Sequence, residues 1–562
     1  MTPTAQVRAA IAADKAYADP ALWIYRVPDD ALLARAAALD AEGPLDRPLW
    51  GVPVAVKDNI DVAGMPTTAA CPDYAYHPDE DAPAVARLLA AGAIVMGKTN
   101  LDQFATGLVG VRSPYGVPRN AFDAARVPGG SSSGSAVAVA AGIVPVSLGT
   151  DTAGSGRVPA AFGNIVGLKP TVGAVPSRGV VPACRSIDTI SVFARTVDEA
   201  LGVLRVIAGW DATDPYSRQA PLGWGRRGAR TAGRIAVADD LSACTPAVAA
   251  VVRRAGASVG GEPVSVGPFL ELARLLYDGP WVAERTSALR PMLDRPDSLH
   301  SVTRAILAGG LERRTVDAFD AFHLQAQARR QAEALFAEYD ALLVPTAPFC
   351  PTLAELDADP IGPNSRLGTY TNWVNLCGLC AIAVPAGMAP DGPAGITVIG
   401  PAWAEGRIAA LADALHRAAT DTVGATGTPL PPSAIPDPLD SDETALFCIG
   451  AHMAGLPLNG QVTAIGGRFL YEARTRPEYR LFALGLRPGL VRNGAGVIAG
   501  EVWALPTASV GKLLAQVTPP LGFGTAFLEE GPCLSFLAEA AGVDGALDIT
   551  ALGGWRAYLA QT

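Results

Sequence analysis

The spacing of apolar and polar positions changes twice along the chain. Residues 1–47 carry a helical period, as in the run ALLARAAAL at 31–39. From about residue 48, short apolar runs alternate with amphipathic stretches, which is the pattern of an α/β sheet. This pattern predicts strands at 52–56, 93–96, 144–148, 341–344 and 382–384, and helices at 82–91, 135–141 and 407–419.

The second change begins at residue 426. Residues 426–445 are rich in proline, as in TPLPPSAIPDP at 428–438, which is typical of a semi-extended linker. Beyond the linker, short β-like runs at 446–449, 461–465, 480–484 and 496–505 predict a small α+β domain. We therefore predict a large α/β domain over 1–425, a linker over 426–445 and a second domain over 446–562.

Composition narrows the class of protein. The 562 residues are 49% hydrophobic and 17% charged, which is typical of a well-packed globular protein. A net charge of −10 argues against binding of nucleic acid or of an anionic membrane. Because no apolar run reaches about 18 residues and the N-terminus lacks a signal pattern, we expect a soluble, cytoplasmic protein.

Cysteines and histidines give no sign of a metal or disulfide framework. The eight cysteines are scattered, and although Cys377 and Cys380 have redox spacing, no second pair lies nearby. We interpret them as small buried hydrophobes. The five histidines are isolated, at 77, 300, 323, 416 and 452. We expect neither a metal nor an organic cofactor.

Two serine loops and one lysine carry the candidate chemistry. Ser131 lies in GGSSSGS at 129–135, and Ser155 lies in GTDTAGSGR at 149–157. A serine nucleophile needs a base, and no histidine lies near either loop. Lys57 ends the apolar run GVPVAVK, where burial would lower its pKa enough for it to act as that base. A second serine between lysine and nucleophile would relay the proton.

Two other interpretations of the loops are weaker. A flexible Gly/Ser linker does not fit, since an apolar helix and strand follow the first loop at once. A phosphate-binding loop requires Lys followed by Ser or Thr after a glycine loop, and the pair Lys98–Thr99 lacks those glycines.

These residues and their neighbours resemble the amidase signature family. The resemblance includes GLKPT at 167–171 and VPTAP at 344–348, and it covers about residues 20–420. It implies a mixed central sheet flanked by helices, with Ser155 as the acyl-forming nucleophile, Ser131 in a cis peptide as the bridge and Lys57 as the base. It also implies that Asp151 fixes the nucleophile loop and that an oxyanion is bound by the backbone of Thr152, Ala153, Gly154 and Ser155.

Three features are similar to the allophanate hydrolase subgroup. The first is the nucleophile loop TAGSGRVPA at 152–160, which lacks the double glycine of most family members. The second is the pair Tyr277 and Arg285, which the resemblance assigns to the substrate carboxylate, an anion that an arginine can bind bidentately. The third is the tail, which resembles γ-glutamylcyclotransferase-like folds without their acidic residue. It implies a domain that helps to decarboxylate the first product, with His452 as the matching histidine.

The resemblance therefore implies hydrolysis of allophanate (urea-1-carboxylate) to ammonia and carbon dioxide by a homodimer, with N-carboxycarbamate as the first product. The upstream reaction, urea carboxylation or cyanuric acid breakdown, stays open. Alternatives are an amidase for another small acid amide such as malonamate and a glutamyl-tRNA amidotransferase A-type subunit. The intact Lys57, Ser131 and Ser155 disfavour a further alternative, which is a binding protein with an inactive amidase domain.

Overall fold

A computed structural model describes residues 1–221, 234–433, 439 and 442–561, which form two compact units. The first unit holds residues 1–220 and 234–433, and the second holds residues 221, 439 and 442–561 among those described.

Eleven strands of the described residues form the large sheet of the first unit. They are β1 (Trp23–Arg26), β2 (Pro53–Lys57), β3 (Ile94–Thr99), β4 (Val146–Asp151), β5 (Val166–Lys169), β6 (Thr189–Ala194), β7 (Ile235–Ala238), β8 (Glu262–Val264), β9 (Ala341–Pro345), β10 (Cys380–Ala389) and β11 (Gly392–Gly400). Their spatial order is β1-β3-β2-β4-β6-β5-β10-β11-β9-β7-β8.

The sheet is mixed. Strand β2 pairs in parallel with β3 and β4, whereas β4–β6 and β5–β10 are antiparallel. Strands β2 to β6 are buried along their whole length, which is why they appear in the sequence as continuous apolar runs and not as alternating ones. The predicted α/β class with a mixed central sheet is confirmed.

Helices flank this sheet. They are α1 (Pro3–Tyr17), α2 (Asp29–Glu42), α3 (Pro83–Ala90), α4 (Ser133–Ala140), α5 (Val158–Phe162), α6 (Val197–Ile207), α7 (Pro246–Ser258), α8 (Gly267–Asp278), α9 (Trp281–Leu289), α10 (Ser301–Gly310), α11 (Thr315–Glu338), α12 (Leu353–Ala358), α13 (Gly362–Leu367), α14 (Asn372–Leu376) and α15 (Glu405–Ala419). Every residue of α4 is buried, and a Cβ on its Gly134 would lie 2.6 Å from the Leu22 carbonyl oxygen. The small residues of α4 therefore allow close packing beside Ser131.

The described start of the predicted linker belongs to the first unit. Strands β12 (Thr422–Val423) and β13 (Thr428–Pro429) pair there, and the Arg417 guanidinium donates to the Pro431 carbonyl oxygen (2.7 Å). Residues 434–438, 440 and 441 of that prediction lie outside the described residues.

The second unit is rich in sheet. Its strands are β14 (Glu443–Cys448), β15 (Arg468–Arg474), β16 (Tyr479–Leu484), β17 (Arg487–Gly496), β18 (Ala499–Pro506), β19 (Leu521–Phe527), β20 (Pro532–Ala538) and β21 (Leu547–Asp548); its helices are α16 (Asn459–Thr463), α17 (Thr507–Leu514) and α18 (Trp555–Leu559). They form sheets ordered β15-β18-β14-β20-β19 and β17-β16-β21.

The predicted β-like run at 461–465 is wrong. Its residues belong to α16 and the turn after it, where only Val462 is buried. The polar–apolar alternation of QVTAI matches a strand, but one buried valine is equally compatible with a single turn of helix.

The five lysines divide sharply by burial. Lys57, Lys98 and Lys169 are fully buried, whereas Lys15 and Lys512 are exposed. A buried lysine requires polar partners. Lys98 lies 3.4 Å from the Asp58 carboxylate, and Lys169 donates to two carbonyl oxygens.

Candidate active site

Lys57 is the last residue of β2, between β3 and β4. Its Nζ lies 2.8 Å from the Ser131 hydroxyl, 2.9 Å from the Ser132 hydroxyl and 2.7 Å from the Thr150 hydroxyl. A charged ammonium would donate to all three. A neutral amine has two N–H donors and one lone pair, so one of the hydroxyls must then donate to it. The contact is therefore suited to passing a proton between lysine and serine.

The electrostatic environment favours the neutral lysine. Complete burial lowers the pKa of Lys57 from 10.5 to about 7; Asp102, Asp188 and Asp151 oppose this decrease, and Arg285 adds to it. Lys57 is thus able to act as a free base near neutral pH.

Ser131 is held by a crowded backbone. The Gly130–Ser131 peptide bond is cis, and the Ser131 carbonyl oxygen accepts from the Asp102 N–H (3.0 Å). A Cβ at Gly130 would lie 2.1 Å from Asp102 Oδ2. Only glycine fits at this position, which accounts for the Gly-Gly-Ser sequence.

Ser155 lies in the buried turn between β4 and α5. The Asp151 carboxylate organises this turn: it accepts from the N–H groups of Gly154 and Gly156 (both 3.0 Å) and from two guanidinium nitrogens of Arg157 (both 2.9 Å). Since β4 is parallel to β2, this turn lies at the same edge of the sheet as Lys57. Sequence reasoning named Asp151 as the fixing residue but missed Arg157.

The backbone of this turn offers donors for an oxyanion. The N–H groups of Thr152, Ala153 and Ser155 have no hydrogen-bond partner among the described residues. The Gly154 N–H, by contrast, is used by Asp151 in this structure. The Ala153 carbonyl oxygen accepts from the Thr371 hydroxyl (2.6 Å), which holds the peptide plane.

Tyr277 near the end of α8 and Arg285 in α9 lie together. The guanidinium carbon of Arg285 is 5.6 Å from the Tyr277 ring centroid. Arg285 is 1% exposed and donates to the Thr106 hydroxyl (2.8 Å) and the Ala105 carbonyl oxygen (3.2 Å). Across the described ranges, no ion pair joins this guanidinium to a carboxylate. The hydrogen bonds of Arg285 go to neutral groups, and the acid that acts on it, Asp188, contacts it only through Cys184, so the position favours an anionic ligand.

Asp188 is a buried carboxyl that sequence reasoning missed. It accepts from the Thr152 hydroxyl (2.5 Å) and from the N–H groups of Ala183 (2.8 Å) and Cys184 (3.0 Å). Burial raises its pKa to about 6. Neither its spacing nor its flanking residues signal this role, because its contacts join segments far apart in the chain.

His452 belongs to the second unit. Its ring stacks on Phe536 (centroids 4.7 Å apart), and its Nε2 lies 3.0 Å from Gln461 Oε1. It lines a pocket of about 110 Å³ together with Arg487 and Thr518. Burial lowers the pKa of His452, so the imidazole is neutral at physiological pH.

The part of the chain that the structure describes contains no group of three or more histidine, cysteine, aspartate or glutamate residues arranged to hold a metal. It also contains no helix long and apolar enough to span a membrane. All eight cysteines are free thiols.

Comparisons with known proteins cover both units. Residues 6–409 match the family described as Amidase, and residues 444–560 match the Allophanate hydrolase C-terminal domain. Urea amidolyase of Saccharomyces cerevisiae is 41% identical over 95% of this chain, which spans only 31% of that protein. The Glutamyl-tRNA(Gln) amidotransferase A-type subunit of Symbiobacterium thermophilum is 39% identical over 72% of this chain and 91% of its own. A single-residue variant of the allophanate hydrolase of Kluyveromyces lactis superposes with a TM-score of 0.73 at 39% identity, and the match covers 100% of this chain and 96% of that one.

Proposed function

The chain belongs to the amidase signature family, and on that premise we propose that this amidohydrolase acts on allophanate. The buried guanidinium of Arg285 carries the proposal, because it has no carboxylate partner among the described residues and lies against Tyr277. The carboxylate of allophanate would supply that partner. The match of the second unit to the Allophanate hydrolase C-terminal domain adds support.

In the proposed reaction, the Ser155 hydroxyl attacks the terminal carbamoyl carbon. Neutral Lys57 receives the serine proton through Ser131 and returns it to the departing nitrogen, so that the C–N bond breaks and ammonia leaves. Water then enters by the same relay and hydrolyses the acyl-enzyme to N-carboxycarbamate. The 2.8 Å contact of Lys57 with Ser131 and the Lys57 pKa of about 7 support these roles. Backbone N–H groups of Thr152, Ala153 and Ser155 would bind the oxyanion.

We further propose that the second unit helps N-carboxycarbamate to lose carbon dioxide at His452. The stacked imidazole and the guanidinium of Arg487 line one small pocket, of a size that suits an anion of a few heavy atoms. Glu501 is less suited to such a role, since its carboxylate already accepts from Arg556, Trp503 and the Ala454 N–H.

We also propose a homodimer and a cytoplasmic location. Leu311, Val316, Phe319 and Phe322, just before and within the first turns of α11, are each at least half exposed, and a second copy of the chain would cover them. Sedimentation of wild type and of Phe319→Ser should give a dimer and a monomer, respectively. Free thiols at all eight cysteines support a reducing compartment.

Ammonia release from allophanate, malonamate, biuret and glutamine tests the substrate. Ser155→Ala should abolish all activity, and Arg285→Ala should lose more than 100-fold in kcat/KM on the anionic amides only. Arg274→Ala, an exposed arginine of α8, is the matched control and should retain wild-type rates. Preference for malonamate would favour another acid amidase. Preference for glutamine would favour the amidotransferase A-type activity that the relatives' names suggest.

A further inference from the structure

Residues 183–188 connect the nucleophile turn with the proposed carboxylate site. The Cys184 N–H donates to Asp188, and the Cys184 sulfur lies 4.0 Å from an Arg285 guanidinium nitrogen. On its other side, Asp188 accepts from the hydroxyl of Thr152, a residue of the nucleophile turn. Asp188 and the substrate site of Arg285 are thus separated by a single residue.

Asp188 is buried but not sealed off from water. It is 8% exposed and lies in a pocket of about 180 Å³ that Arg178, Arg185 and Asp214 also line. Of these, Arg178 is paired with Asp211 and Glu80, and Asp214 accepts from Ser177. The pocket provides a route for proton exchange.

Besides the arginines that line its pocket, Asp188 is acted on by charged groups of two other elements. Lys57, at the end of β2, interacts electrostatically with Asp188, but its pKa of about 7 leaves it only partly charged. From α9, Arg285 stabilises the Asp188 carboxylate, while burial destabilises it. The nearby Cys184 thiol stays protonated, because burial raises its pKa.

A substrate carboxylate on Arg285 would neutralise the guanidinium that lowers the Asp188 pKa, and would place an anion on the other side of Cys184 from Asp188. Both effects disfavour the charged form of a buried carboxyl group, so the Asp188 pKa should rise when the substrate binds. The Thr152 hydroxyl can accept a hydrogen bond as well as donate one, so a protonated Asp188 would keep its partner.

We propose that Asp188 takes up one proton from solvent when an anionic amide binds at Arg285, and releases it when the anionic product leaves. This proposal rests on the proposed function of the Arg285 site. The proton moves from buffer to a carboxylate oxygen of Asp188, and no covalent bond of the substrate changes. Asp188 is thus a positioning residue that matches the charge of the site to an anionic substrate.

Calorimetry of malonamate binding, in buffers of different ionisation enthalpy at pH 7, tests the proposal. The protein carries Ser155→Ala to prevent turnover and Lys57→Met so that the lysine cannot take the proton. With a free Asp188 pKa of about 6 and a rise of about two units on binding, we expect uptake of about 0.8 proton per site. Adding Asp188→Asn should reduce uptake below about 0.1 proton, and the neutral isostere malonamide should cause none.

Infrared difference spectra give a second readout that needs no change at Asp188. Malonamate binding should produce the C=O band of a protonated carboxyl group, and malonamide should not. Binding of malonamate without proton uptake and without this band overturns the Asp188 proposal alone. Uptake that persists in Asp188→Asn overturns it too. Failure of malonamate to bind at all removes the Arg285 site, and both proposals fall together.

Discussion

Replacing Lys57 by methionine measures what the buried base costs the fold. The folded chain holds the Lys57 pKa at about 7, against 10.5 for the free side chain. Between pH 7 and pH 10.5 the unfolded chain therefore binds a proton that the folded chain does not. At pH 7 this difference corresponds to about 5 kcal/mol of folding free energy.

The stability gained by removing the lysine is partly offset by the hydrogen bonds that are lost with it. Methionine has a similar shape but leaves the hydroxyls of Ser131, Ser132 and Thr150 without their amine partner, at about 1 kcal/mol each. Lys57→Met should thus be about 2 kcal/mol more stable than wild type at pH 7. The electrostatic cost disappears as pH rises from 7 to 10.5, so at pH 10 the variant should be about 2 kcal/mol less stable.

Thermal unfolding of the first unit at both pH values is the assay. In a unit of this size, 2 kcal/mol corresponds to about 2 °C in Tm. The Tm of Lys57→Met should lie above wild type at pH 7 and below it at pH 10, while the exposed control Lys15→Met should match wild type at both. A difference that does not depend on pH would refute the reasoning, since every other titrating group is common to the two proteins.

Three further outcomes follow from the structure. In wild type, kcat for allophanate should rise with pH through about 7, because Lys57 must lose its proton to act as a base. Burial lowers the pKa of His416 to about 4, so the free energy of unfolding should fall by about 3 kcal/mol as pH falls from 6.5 to 4. In denaturant titrations, His416→Phe should remove this decrease in stability at acid pH. Arg157→Lys should lower kcat at least 10-fold with little change in KM, since lysine cannot replace the two-nitrogen contact that holds Asp151; equal kcat values would contradict this.

The five strands and three helices that local pattern predicted beyond residue 48 of the first unit are all present, among the eleven strands of the large sheet and the fifteen α-helices of that unit's described residues. The apolar run that predicted a strand at 52–56 became β2, and the small-residue stretch at 135–141 became part of α4. The predicted ends of the elements were less accurate. The strand predicted at 382–384 extends over Cys380–Ala389, because its pairing with β11 continues beyond the buried core. The sheet order could not be predicted, since neighbours such as β4 and β6 are not consecutive in the chain.

In the candidate site, too, residues with a local sequence signal were predicted, and residues whose role depends on the fold were not. Lys57 and Ser131 were recognisable from their own loops, and they are in contact. Thr150 and Asp188 were missed because their importance depends on what the fold brings beside them. No periodicity marks a carboxyl group that meets a hydroxyl 36 residues away.

The burial of three lysines leaves the chain with very few reactive amines. Lys15 is exposed in the first unit, and Lys512 is exposed in the second. Apart from the α-amino group, an amine-directed dye or cross-linker therefore has one lysine to modify in each unit. Labelling at near-neutral pH, with the α-amino group blocked, would mark two defined points of the molecule without mutagenesis. The distance between those two labels would then report directly on the arrangement of the two units in solution.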